Sequence, residues 1–413
     1  MRVLLSPLRV LWLLIILFVG WAAYYSAPGI RLRNHFYTPP PELHKVFKRF
    51  QWLQKRDEAE PVPLPIVYEG RGPGAFSIEL ATQPLHLQKQ QVVMRNPFAT
   101  EPYPLSYSVI YRGHLVTLFA PGRFACYQLP DLKRNQAMEQ RLNTRQFAYH
   151  WILDEQLVVL SGGQFYCFTE DERWQPYRVP VPLGKQPKLF EDARYVVCIK
   201  CNGEWGGEAY FYDKVQRTYY IAQATCPTAA FKLDGRYFIL SSLAHMMGHG
   251  DLQRIDNPTQ LTRWRGKIKP QDRDFGDYSA RVSHGSEVFA YPKVLLLSCF
   301  TLWRQPVFLV RWRNTAFLAT WHGGTFRVVD GLFHSDLYAH DPVTTKYSDN
   351  TVLINLGSYE DGERSYLLLL DNKITHISWS PEEAPREYST SDTFIQQPRN
   401  GEVLDSTEAQ LLE

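Results

Sequence analysis

Charge is scarce and balanced in this chain of 413 residues: Asp, Glu, Lys and Arg make up 21% and sum to +3. The usual share is about 25%. With no basic surplus to meet a phosphate backbone, nucleic acid is not an expected partner. No Gly-Lys-Ser/Thr loop is there to cradle a nucleotide, and no Gly-x-Ser-x-Gly elbow to present a nucleophilic serine. Asn-x-Ser/Thr sequons are missing too, since Asn257-Pro258-Thr259 is blocked by its proline. That favours a bacterial chain over a secreted eukaryotic one.

Cysteine is sparse, with six residues. Cys198 and Cys201 form a lone Cys-x-x-Cys. Without a second pair or His-x-His partner at zinc spacing, a disulfide or plain strand packing is the reading. Cys126, Cys167 and Cys299 fall in apolar strand positions and read as core, and Cys226 carries no motif. No cofactor is expected.

What is present begins with a membrane signal. After a short basic tail, residues 1–9 with Arg2 and Arg9, residues 10–27 contain no charge. Signal-peptide cores run about 7–15 residues, whereas spanning takes about 17–25. The run therefore reads as a transmembrane signal-anchor. Trp12, Trp21, Tyr24 and Tyr25 lie near its ends, where aromatic rings suit the membrane interface with lipid. A cleaved signal, cut after Ala22, is the competing reading. Arg31, Arg33, Lys45, Lys48 and Arg49 follow the span, and a strict positive-inside count keeps them in the cytoplasm. A long exported domain overrides that count, so the body is read as periplasmic, on a single-pass inner-membrane anchor.

Residues 28–65 form a connector. Within it, residues 42–60 place Leu43, Val46, Phe47, Phe50 and Leu53 on one helical face, an amphipathic juxtamembrane helix. Packing of its apolar stripe on the following domain is the leading reading, and its basic remainder on anionic lipid the competing one. Pro61, Pro63 and Pro65 then stiffen the linker.

From 66 to 379 the pattern is strand after strand. A central turn recurs at Arg112-Gly113, Asp154-Glu155, Glu191-Asp192, Asp234-Gly235, Tyr291-Pro292 and Ser348-Asp349, at spacings of 42, 37, 43, 57 and 57 residues. A hydrophobic strand follows each turn, and then a third strand that often closes in Asp or Asn. Several strands per repeat of about 40–50 residues mark an all-β β-propeller. Six units are visible, and residues 66–96 leave room for another, so six or seven blades are expected. The longer spacings carry extra material, including a hairpin turning at His322-Gly323-Gly324. Ser161-Gly162-Gly163 before an aromatic strand, and Tyr210-Phe211-Tyr212-Asp213-Lys214 before Thr218-Tyr219-Tyr220, loosely resemble kelch-type blades. The resemblance implies a binding surface on one face of the disc and carries over no functional residue. The polar, acidic stretch 380–413 reads as a disordered tail.

Candidate chemistry is thin. His245, His249 and Asp251 are the candidate metal ligands: two imidazoles four apart plus a carboxylate. Gly248 and Gly250 oppose the helix that would align them, so a polar loop competes. His334, His340 and Asp341 form a looser second group. Arg263, Trp264, Arg265, Lys267, Lys269 and Arg273 make an aromatic-basic patch that nearby aspartates dilute into a solvated loop. The Asp-box of sialidase-type propellers is missing. The functional expectation is a membrane-anchored propeller binding a protein partner in the bacterial envelope, with an immunity-type role as one form. The alternative is an envelope glycan hydrolase or lyase with its site at the axial mouth.

Overall fold

The computed structural model describes residues 74–380, apart from 82, 86, 99, 246–247, 271, 273–281, 303–304, 313–314, 332–336, 338, 349 and 358–363. It also describes 15, 16, 18, 67–69 and 394–395. Nearly all of the membrane anchor, the interfacial rings Trp12, Trp21, Tyr24 and Tyr25, the amphipathic helix, the proline linker and nearly all of the tail lie outside the described residues. Ile15, Ile16 and Phe18 are helical and exposed. Among the described residues, no helix is long and apolar enough to cross a membrane.

Six antiparallel four-stranded blades follow one another along the chain. Blade 1 comprises Val109–Tyr111, His114–Phe119, Arg123–Gln128 and Lys133–Arg134. Blade 2 comprises Tyr149–Leu153, Gln156–Ser161, Gln164–Phe168 and Trp174–Pro176. Blade 3 comprises Lys188–Glu191, Tyr195–Cys201, Gly207–Asp213 and Thr218–Gln223. Blade 4 comprises Pro227–Leu233, Arg236–Leu243, His249–Ile255 and Ser286–Pro292. Blade 5 comprises Val294–Leu302, Gln305–Trp312, Thr315–His322 and Thr325–Gly331. Blade 6 comprises Val343–Ser348, Thr351–Gly357, Arg364–Leu370 and Lys373–Trp379.

Local chemistry sets the tight turns. Arg112 and Gly113 have φ 47° and 71°, Asp154 and Glu155 45° and 63°, and Asp234 and Gly235 47° and 77°. Paired positive φ is what a two-residue hairpin needs to match strand twist. The closing Asp of a third strand also has a job. Asp213 is fully buried and accepts the N–H groups of Val215 and Gln216 at 2.9 Å, which shapes the next turn.

The second strand of each blade is apolar on both sides because it borders two neighbours. In blade 2, Leu157 and Val159 face the core shared with blade 1, while Val158 and Leu160 face the core shared with blade 3. In blade 6, Val352 and Ile354 face blade 5, and Leu353 faces blade 1. Apolar cores fill all six blade interfaces, including that between blades 6 and 1. The ring is closed.

Residues 66–96 do not make a seventh blade. Phe76–Leu80 adds to the outer edge of blade 5, parallel to Thr325–Gly331. Gln88–Met94 adds to blade 6, parallel to Lys373–Trp379 in the register Lys373↔Gln88 to Trp379↔Met94. The segment between them crosses from one blade to the next. There Leu87 donates its N–H to Asp330 Oδ2 at 3.0 Å, and Lys89 Nζ lies 2.6 Å from Asp330 Oδ1.

Blade 5 also corrects the repeat. Tyr291-Pro292 ends the outer strand of blade 4 and is not a hairpin turn. Lys293, at φ 66°, links it directly to the innermost strand of blade 5. The hairpin at Gly323-Gly324 is not extra material; it joins the third and fourth strands of that blade. A proline pair marks a change of direction, and the local signal is the same for a hairpin and a blade-to-blade crossing. Of the aromatic-basic patch, Thr262–Trp264 pairs as a fifth strand with Thr218–Gln223. Trp264 is buried against Tyr210 and Tyr219, ring centroids 6.0 and 5.5 Å away.

One buried group makes the fold acid-sensitive. His150, on the inner strand of blade 2, packs edge-on against Phe124, with its Nδ1 3.4 Å from Ser106 Oγ. Burial pushes it down to about 3. Between pH 6.5 and 3 the unfolded chain protonates this imidazole while the folded chain does not, so stability falls on acidification. The slope is about 1.4 kcal/mol per pH unit. Urea unfolding of His150→Phe from pH 6.5 to 4 is expected to show a slope shallower by about that amount. An unchanged slope would mean that this imidazole already protonates in the fold.

Candidate functional site

The inner strands converge on an axis that is plugged. Leu189, Ile199 and Val343, from blades 3 and 6, form a buried cluster with Tyr107 and Ala230 packed on it. Beside the plug lies a small recess bordered by Tyr107, Tyr149, Lys188, Tyr347 and Asn355.

At one end of the axis, connectors from several blades meet. The loop between the second and third strands of blade 3 is a single 3-10 turn, Gly203–Trp205. Asn202 N–H donates to Gly206 O at 2.8 Å and closes it. Gly207 is required next, because a Cβ there would stand 2.4 Å from Lys200 O and 2.9 Å from Ala224 O. Cys201, at the start of this loop, is disulfide-bonded to Cys226 in the connector from blade 3 to blade 4. The turn is thus held at its base, and its tip projects: Trp205 is 83% exposed. Beside it, Glu204 Oε2 lies 3.2 Å from His245 Nδ1 of blade 4.

Blade 6 supplies the opposite wall. Asp341 brings its carboxylate oxygen within 4.8 Å of both disulfide sulfurs. Burial pushes this carboxyl up, and the positive charges of His340 and Arg364 oppose that. Arg364 also lies over the ring of Tyr107, 5.2 Å from its centroid. The mouth therefore offers an exposed indole, a carboxylate–imidazole contact, a guanidinium over a phenol and a half-buried acid, set on short loops above an apolar plug.

Elsewhere, carboxylates are neutralised by cations. Lys214 Nζ bridges Asp154 at 2.7 Å and Glu191 at 2.8 Å, and Lys188 Nζ meets Glu191 at 2.6 Å. Lys232 and the Tyr237 hydroxyl hold Asp192 at 2.9 and 2.8 Å. Burial pushes Asp154 and Asp192 up, and their hydrogen bonds and neighbouring lysines together outweigh it, leaving both below the ordinary carboxylate value. They fasten the hairpin ends of blades 2, 3 and 4 to one another.

Of the candidate metal ligands, His245 turns to Glu204, while His249 Nε2 stands 3.8 Å from Asp251 Oδ1. Burial pushes Asp251 up, partly opposed by His249. Among the described residues, the ligand atoms of Cys201, Cys226 and Asp341 lie within 4.8 Å of one another. His334 lies outside the described residues. Cys198 is a free, buried core thiol, and so are Cys126, Cys167 and Cys299. Cys201 points away from Cys198 because alternate strand residues face opposite sides. Trp205 was not singled out from the sequence, although Gly203-Glu204-Trp205-Gly206-Gly207 between two strands marks an aromatic on a tight turn.

No family model matches the chain, and no curated protein matches it. Among solved structures it is similar to the AfRom2 CNH domain, at 8% identity and TM-score 0.32, over 66% of this chain and 97% of that one. It is similar to the β-propeller domain of the Trilobed protease from Pyrococcus furiosus, at 9% and 0.32, over 67% and 98%. It is also similar to the computationally designed Ika8 protein, at 9% and 0.30, over 70% and 89%. At these values the likenesses add nothing to the reading of function.

Proposed function

We propose that this protein is a binding module whose axial mouth holds a protein partner in the bacterial envelope, with the propeller tethered to the inner membrane by residues 10–27. An immunity-type role, neutralising a toxic partner, is one form of this function. Trp205 carries the reading: an indole 83% exposed on a turn closed at its base by a disulfide. Large aromatics presented rigidly are the side chains that dominate protein interfaces, and they lose little entropy on binding.

The test uses the full chain in detergent and a partner captured from envelope extracts. Trp205→Ala is expected to weaken that partner's binding by roughly thirtyfold or more, about 2 kcal/mol, with an unchanged melting temperature. Equal capture by the variant would remove the mouth from the function. The tether is tested separately by the intact mass of membrane-extracted protein, where a mature start at Ala23 would replace the anchor with a cleaved signal. For the periplasmic placement, a reporter fused after Glu413 should work only outside the cytoplasm.

The enzyme alternative has one observation in its favour: Asp341, a carboxyl raised by burial at the mouth, the condition of a proton donor in glycan cleavage. Turnover of a glycan substrate by the parent and not by Asp341→Asn would establish it over the binding reading.

A further inference from the structure

We propose that Cys201, Cys226 and Asp341 form a redox-gated site for a thiophilic divalent cation of the zinc class. It is closed while the two sulfurs are bonded to each other and opened when a dithiol reductant separates them. The three residues come from three segments far apart in sequence: the end of a blade 3 strand, the connector into blade 4, and the approach to blade 6. Their ligand atoms nevertheless all lie within 4.8 Å of one another. Two sulfurs and one carboxylate, with the fourth position left to water, make up a donor set that zinc accepts. Soft thiolates select zinc over the hard cations.

Asp341 is placed to be the third ligand. It is half-buried and accepts no hydrogen bond from the described residues. In the bonded state neither sulfur is a thiolate, and the thiolate is the form that ligates metal.

The chemistry balances with the reductant named. The dithiol gives two electrons and two protons to the Cys201–Cys226 bond and itself becomes a disulfide. The two thiols formed then release two protons as they bind the cation. The inference stands apart from the partner reading, because its readout needs no partner.

The test uses the full chain in detergent, reduced with a dithiol, freed of it without oxygen, and titrated with Co²⁺ as the spectroscopic probe. The reduced protein is expected to take up about one equivalent, with the charge-transfer band of a cobalt–thiolate bond and tetrahedral ligand-field bands. The oxidised protein should show neither. Asp341→Asn, in the reduced state, is expected to keep the thiolate band and bind at least roughly tenfold more weakly, since even an outer partner's loss costs that much. Replacing both cysteines by serine should abolish binding in either state. Three results would overturn the site: no thiolate band after reduction, equal affinity in Asp341→Asn, or loss of the near-ultraviolet circular dichroism on reduction. The last would show that the open site does not exist in the folded chain.

Discussion

Val159→Asp is expected to leave little or no folded protein at room temperature. Val159 is fully buried in the second strand of blade 2, on the face that meets blade 1. Val116, Leu118, Phe124 and Phe168 share that core and supply no partner for a carboxylate. Burying the charge unpaired, or protonating it at neutral pH, costs several kcal/mol. Whole domains are stable by about 5–15 kcal/mol. Glu408→Lys, in the polar tail, is the control and should stay within about 0.5 kcal/mol of the parent. Thermal melts compare the two. If Val159→Asp melts with the parent, that strand is not interior and the blade arrangement is wrong.

The second large effect concerns the N-terminal crossing. Asp330 is fully buried where the chain passes from blade 5 to blade 6, and it serves the Leu87 N–H and the Lys89 ammonium together. Asp330→Ala takes that acceptor from both, at a cost of about 3–5 kcal/mol. The loss should be local first. Phe76–Leu80 and Gln88–Met94 are added outside the four-stranded blades, each flanked on its far side by just a short strand, Val67–Glu69 and Phe394–Ile395, so limited proteolysis is expected to cut within residues 81–88 before the blades open. Asp330→Asn keeps an oxygen for Leu87 and should cost less. A cleavage pattern identical to the parent's would mean that the crossing is held by its backbone pairing alone.

Both predictions rest on features that differ in how openly the sequence displays them. The doubly buried strand at Leu157–Leu160 is legible because four consecutive apolar residues break the alternation of a one-sided strand. Asp330 gives no such signal. Its partners lie 243 and 241 positions away, and nothing local separates it from the surface carboxylates. The mouth is similar. Cys201 stands nearer in sequence to Cys198 than to Cys226, and pattern reading pairs near neighbours. The connector instead carries Cys226 back beside the end of the strand that holds Cys201.

The sequence by itself determined the repeating strands, the hairpins at Arg112-Gly113, Asp154-Glu155 and Asp234-Gly235, and the all-β propeller class. Each of these follows from preferences that act over a few residues: positive φ at a turn, period two along a strand, apolarity on both faces of an enclosed strand. Only the tertiary structure decided the count of six, the use of residues 76–94 as added edge strands, the burial of Trp264, and the meeting of Cys201, Cys226 and Asp341. Those depend on which blade edge is left open and which connectors face the axis. The packing of distant segments settles such choices, and no stretch of a few residues encodes them.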